Sequence, residues 1–166
     1  LKEIPLTQGK VAFVDDEDFE RVNAFKWQSF QTRHNGKFYA RRRFNTSRGR
    51  SGQFLHRFIL NLPPGRIPEV DHKNGNGLDC QKENMRKATT SENCCNRFIN
   101  KNNKSGFKGV SFHKPRQKFI AHIRVQDKKI YLGLFSTAIE AAKEYDLAAR
   151  AWHKEFARLN FPENLK

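Results

Sequence analysis

Val70-Asp71-His72-Lys73-Asn74-Gly75-Asn76-Gly77 is the stretch that decides how this chain is read. An acid stands beside a histidine, with Asn84 twelve residues after His72 and Asn93 nine residues further on. Phosphodiester hydrolysis needs an activated water, a Lewis acid on the phosphoryl oxygens and help for the departing oxygen. Asp71 offers a hard anionic oxygen and Asn93 a neutral amide oxygen to a cation. Two protein ligands leave the remaining positions for waters and phosphate oxygens, as Mg2+ prefers, with Mn2+ as a substitute. His72 is the candidate general base, because an imidazole titrates near working pH. On a strand it faces away from Asp71, so base and metal do not compete. The amide oxygen of Asn84 can accept the proton of its distal nitrogen and fix the tautomer. A lone Asp-His pair is more often a surface loop or a core histidine, and Asn-Gly-Asn-Gly alone is a turn. The joint pattern with Asn84 and Asn93 is what points to catalysis.

Working outward, residues 69–72 read as a short strand, 73–82 as a Gly/Asn-rich loop and 85–88 as a second strand. Thr89-Thr90-Ser91-Glu92 is a capping box that starts a helix to about residue 98. Upstream, residues 9–14 read as a strand and 15–25 as a short helix with Phe19, Val22 and Phe25 near one face. Residues 27–32 and 38–44 read as strands around His34-Asn35-Gly36, a hairpin-turn signal. Residues 47–52 read as a basic loop, and 53–62 as a helix stopped by Pro63-Pro64-Gly65. Downstream, residues 100–106 form a polar, basic linker. Residues 107–112, 118–125 and 129–135 read as strands. Ser136-Thr137 with Glu140 starts an Ala-rich helix that runs to about residue 154. The fold class expected is α+β, with a nuclease region at 1–99 (its core at about 53–99), a linker at 100–106 and a second domain at 107–166.

The chain has 166 residues and a formal charge of +15, which calls for a polyanionic partner. Fifteen phenylalanines supply large buried areas to small cores. No apolar run is long enough to span a membrane, and the opening Leu1-Lys2-Glu3-Ile4-Pro5 lacks the regions of a secretion signal. It also lacks an initiator methionine, so residues can precede it. Three cysteines with no Cys-x-x-Cys pair exclude a four-cysteine zinc site and fit a reducing cytoplasm. Arg41, Arg42, Arg43, Arg48 and Arg50 form the densest basic cluster upstream. They read as backbone contacts beside the catalytic unit, or else as a solvated strand edge.

Leu55-His56-Arg57, Val70-Asp71-His72-x-Asn74-Gly75, Leu78-Asp79, Glu83-Asn84-x-Arg86, Thr89 and Glu92-Asn93 together resemble the HNH endonucleases, and most closely the phage and intron-encoded homing type. The resemblance implies that the strand–loop–strand–helix unit is a ββα-metal (His-Me) finger. His72 then matches the base, Asn84 the residue orienting it, and Asp71 with Asn93 the metal pair. The opening segment from Pro5 to Trp27 is also similar to the front of these proteins. Cys80 stands where an asparagine is usual. His56 fits a packing or supporting role better than a ligand. Arg57 and Arg86 read equally as phosphate contacts or as surface charges.

A second resemblance spans about residues 106–162. Ser105-Gly106-Phe107-Lys108-Gly109-Val110, Phe119-Ile120-Ala121-His122-Ile123-Arg124, Tyr131-Leu132-Gly133-Leu134-Phe135 and Ala141-Ala142-x-x-Tyr145-Asp146 resemble the Apetala-2/ethylene-response-factor DNA-binding domain. It implies a three-stranded antiparallel sheet, packed on one helix, that enters the major groove. The matching contact positions are Lys108, Ser111, His113, His122, Arg124, Lys129 and Tyr131. Ser111 replaces an arginine and His122 a glutamate, so the base sequence read does not transfer. Within residues 118–125 the alternation itself gives one polar, basic side and one apolar side. The expectation is a site-specific, metal-dependent DNA endonuclease that nicks duplex DNA as a monomer in a bacterial or phage-infected cytoplasm. The alternative is a non-catalytic DNA-binding regulator that keeps the finger as a scaffold.

Overall fold

Four small antiparallel sheets carry the architecture of the computed structural model, which describes residues 1–33, 36–47, 49–63 and 65–162. The chain divides into two compact units, Leu1–Thr89 and Thr90–Lys166. The hairpin turn expected at His34-Asn35 and the basic Arg48 lie outside the described residues.

In the first unit, β1 (Lys2–Pro5) pairs with β2 (Val11–Val14). The helix α1 (Asp16–Asn23) follows. Then β3 (Gln28–Gln31), β4 (Phe38–Thr46) and β5 (Gly49–Phe54) form a sheet with β4 in the centre. The short helix α2 (Leu55–Ile59) leads to a hairpin of β6 (Glu69–His72) and β7 (Met85–Ala88). Two expectations change here. Residues 49–54 are a strand rather than a loop, because they pair with β4 from Arg41↔Phe54 to Thr46↔Gly49. The helix expected over 53–62 keeps little more than one turn. Beyond it the buried Arg57 guanidinium is drawn to the carbonyls of Pro63 (2.9 Å), Ile67 (3.3 Å) and Pro68 (2.6 Å). Arg57 therefore ties down the following loop and does not present a surface charge. Ile4, Val14, Val22, Trp27, Leu55, Ile59, Cys80 and Met85 fill one core. Cys80, at the position of the departure from the family pattern, is completely enclosed.

In the second unit, α3 (Thr90–Cys95) precedes β8 (Val110–His113), β9 (Lys118–Val125) and β10 (Lys128–Phe135), with β9 central. The helix α4 (Ala138–His153) lies against this sheet. Thr137 accepts from the Glu140 amide while the Glu140 carboxylate accepts from the Thr137 amide, so the expected cap forms. Ala141, Ala142, Ala148 and Ala149 let the helix approach Val110, Ala121 and Ile123 closely. Gly109 has φ +76°, and a Cβ there would stand 2.0 Å from the Tyr145 ring. The buried Asp146 carboxylate accepts from the amides of Asn160 and Phe161, each at 2.8 Å, and so fastens the segment after α4.

Candidate functional site

The loop after β6 is held by its own side chains. Asn74 Oδ1 accepts from the Asn76 amide at 2.8 Å, and Asn76 Oδ1 from the Leu78 amide at 3.1 Å. Short amides of this kind stand in for backbone in turns, and they explain why asparagine alternates with glycine here. Asn74 Nδ2 also donates to Asp79 Oδ2 at 2.6 Å. The loop is stitched to β2 by Phe13 N–H to Leu78 O (2.9 Å) and Cys80 N–H to Phe13 O (2.8 Å). Gly77 lies against β4: a Cβ would meet the Phe38 carbonyl and the Tyr39 ring, both at 2.5 Å.

His72 ends β6 and is 5% exposed; its ring packs edge-on against Tyr39 (centroids 5.8 Å) and His56 (5.2 Å). Burial lowers its pKa from the ordinary value to about 4, against the opposing pull of the Asp71 and Asp79 charges. Asn84 is drawn beside it: the Asn84 carbonyl accepts from the Lys73 amide (2.8 Å), and its side-chain oxygen accepts from the Asn74 amide (3.0 Å). Its amide nitrogen donates to Asp79 O at 2.8 Å. The Asn84 side chain is thus the pin of the loop that follows His72.

Asp71 points from the other face of β6, 3% exposed. Arg86, opposite it on β7, donates to Asp71 Oδ2 through Nε (2.8 Å) and Nη2 (2.7 Å). Arg86 is therefore the partner of the candidate metal carboxylate. Tyr39, which the sequence reading missed, has its phenol pKa raised by burial and then by the charges of Asp71 and Glu69. No spacing rule could have found it, since it comes from a distant strand. Asn93 is half-buried on α3, in the second unit. Among the described residues, no group of three or more His, Cys, Asp or Glu side chains could hold a metal ion. A carboxylate and an amide offer hard oxygens of the kind that suit Mg2+.

The basic cluster divides. The Arg42 guanidinium lies 3.9 Å from the centre of the Phe25 ring, with Phe58 at 4.9 Å, Phe44 at 5.4 Å and Trp27 at 5.6 Å. It is a cation held in an aromatic cage. Arg41 rests on Phe30 at 4.0 Å. Arg43 is exposed, and with Phe44, Asn45 and Arg50 it lines an open concavity of about 200 Å³.

In the second unit the register sets Ser111 against Ile120, His113 against Lys118, His122 against Tyr131, and Arg124 against Lys129. These residues alternate with the buried Ala121 and Ile123, so they share the side of the sheet away from α4. Tyr131 is 62% exposed. His122 has its pKa lowered by partial burial and by Lys129 and Arg124. Lys108 behaves differently. Its ammonium donates to the carbonyls of Cys95 and Arg97 at the end of α3, and burial lowers its pKa to about 8.

No family model matches the chain. A 65-residue segment is 42% identical to dehydration-responsive element-binding protein 2A of Arabidopsis thaliana, covering 38% of this chain and 19% of that protein. A 40-residue segment is 52% identical to protein 2E of the same name and organism, and there the chain spans 16% of the relative's length. Over 158 residues, 92% of the chain, it is 28% identical to a protein of Acanthamoeba polyphaga mimivirus named as an uncharacterized HNH endonuclease, of which it covers 76%.

Proposed function

We propose that this chain is a divalent-metal-dependent, site-specific DNA endonuclease of the HNH homing type, in which β6, β7 and α3 supply a ββα-metal finger and the β8–β10 sheet reads duplex DNA. The observation that carries the proposal is the placement of His72 at the mouth of a loop immobilised by Asn74, Asn76 and Asn84, with Asp71 on the reverse face of the same strand. The similarity to a viral protein named as an HNH endonuclease supports the catalytic half. The similarity to response-element-binding proteins supports the DNA-reading half.

In this mechanism His72 takes a proton from the water that attacks phosphorus. Burial keeps the ring neutral and ready to accept it, and a phosphate brought alongside raises its basicity. Asn84 holds the loop, and with it the position of the His72 ring. Asp71 and Asn93 are the residues that would hold Mg2+ or Mn2+. Such a cation, when bound, supplies Lewis acidity to the phosphoryl oxygen and charge relief to the leaving oxygen. Arg86 keeps the Asp71 carboxylate in one orientation. Ser111, His113, His122, Arg124, Lys129 and Tyr131 face the DNA groove, and Arg43 with Arg50 contacts the backbone. One finger per chain makes a monomer a nicking enzyme.

A pool of supercoiled plasmids carrying random duplex inserts tests this. With Mg2+ the wild type should convert a subset to open circles, and chelator should stop it. His72→Ala should bind the same inserts and cut none. Binding without cleavage in Mg2+ or Mn2+ would replace this proposal by that of a DNA-binding regulator.

A further inference from the structure

Lys108 and Arg158 are cations to which the mechanism above gives no task, and both are spent on one short helix. The Lys108 ammonium donates to the carbonyls of Cys95 and Arg97, the latter at 2.8 Å. Arg158 Nε donates to the carbonyl and to the side-chain oxygen of Asn96, each at 3.1 Å, and its guanidinium lies 3.9 Å from the centre of the Phe98 ring. Three consecutive carbonyls, at and just past the end of α3, are thus received by these two side chains. Carbonyls at a helix end have no partner inside the helix, and a cation there also meets the negative end of its dipole.

The helix depends on such contacts. It has six residues, too few to persist alone, and none of them is buried, so no apolar face seats it. The two cations, in contrast, project from anchored backbone. The Lys108 amide donates to Asn160 Oδ1 at 2.7 Å, and the Lys108 carbonyl accepts from Asn160 Nδ2 at 3.1 Å. Asn160 Nδ2 donates in turn to the buried Asp146 carboxylate. Arg158 sits between Ala157 and Leu159, which pack with Ile123 and Tyr145. Both anchors therefore belong to the core that joins α4 to the β8–β10 sheet. Two of the three donors of the Lys108 ammonium are taken up by α3, at a position where the plant-type resemblance implies a DNA contact. The same helix carries Asn93, one residue of the candidate metal pair.

We propose that Lys108 and Arg158 are positioning residues for Asn93: by holding the carbonyls at the end of α3 they make the helix that carries Asn93 a fixed part of the DNA-reading unit, and Lys108 serves that helix instead of the DNA. The link to the cation rests on Asn93 being a metal ligand, and the test separates the two. Amide hydrogen exchange of the full chain, followed by NMR, reads α3 directly and needs neither metal nor cleavage. Mn2+ titrated into the chain without DNA, followed by broadening of the Asn93 side-chain amide signals, reads the cation. Binding to duplexes recovered from the plasmid pool, over a range of salt, reads phosphate contact.

Lys108→Met keeps the stem and removes the ammonium, and Arg158→Met makes the same change at the second cation. In each, the α3 amides should exchange about tenfold faster or more, while those of β9 and α4 keep wild-type rates and show that the unit is folded. The Mn2+ midpoint at Asn93 should rise about threefold or more. DNA affinity in Lys108→Met should stay within about twofold of wild type, with the slope of log K against log salt unchanged. A slope lessened by about one would put Lys108 on a phosphate and overturn the inference. Wild-type α3 exchange in both variants would overturn it too, and faster exchange with an unmoved Mn2+ midpoint would reduce the two cations to packing; in either case the nuclease stands. Conversely, if Mn2+ leaves the Asn93 signals of the wild type untouched while both variants still loosen α3, the hold on the helix survives and Asn93 falls as a metal ligand.

Discussion

His56 and His72 are both held neutral by burial, at pKa values near 3 and 4 against an ordinary 6.5. Between those values and 6.5 the unfolded chain takes up protons that the folded chain refuses, so acidification costs stability. The contribution is complete above pH 6.5 and is lost as pH falls toward 3. Melting temperature should therefore drop as pH is lowered through this window, and His56→Phe should show a shallower decline; equal slopes would mean that His56 takes up a proton without unfolding. At this scale local geometry was legible where it is made by chain neighbours. Asp71, His72 and the asparagines of the loop lie within one turn of chain, and their geometry follows from strand alternation and local amide turns. His56 was read as packing or supporting without its neighbours being known, whereas Tyr39 and Phe54 were opaque because β4 and β5 bring them to His72 from separate places. The same holds for Arg42, whose aromatic cage draws on α1's exit, β4 and α2.

Elements with a strong local signal emerged where expected. The alternation in β9 and the capping box of α4 depend on contacts a few residues apart. Thr137→Ala removes one arm of that box and should cost about 1 kcal/mol, read as a lowered thermal midpoint with unchanged helical signal at low temperature. A change within error would mean that packing of the alanine face alone sets the start of α4. Gly49–Phe54 was illegible for the opposite reason. Its glycine, arginine and serine residues have little strand preference, and the strand exists because β4 offers an unpaired edge. Likewise β1 was not expected, since only its pairing with β2 makes Lys2–Pro5 a strand. The truncated α2 shows a buried cation competing for the carbonyls beyond a helix end, which composition does not reveal.

For the molecule as a whole, the charge of +15 was the plainest signal, and it sets a quantitative expectation. DNA affinity should fall steeply with salt, and Arg124→Gln should lessen the slope of log K against log salt by about one. Arg42→Gln should leave the slope alone and lower the melting temperature instead, since its guanidinium is enclosed by rings. An Arg42 variant with an altered slope would return that residue to the DNA surface. The change of pattern along the chain lies at 100–106, and the contacts divide elsewhere. They divide between Thr89 and Thr90, because the Lys108 ammonium and Arg158 bind the carbonyls of Cys95, Arg97 and Asn96. Anyone exchanging modules to retarget such a protein has a rule of dissection in that clasp. A graft that begins at the flexible-looking 100–106 segment leaves Lys108 with an ammonium buried against nothing, whereas a donor fragment that begins at Thr90 travels with its own closing piece.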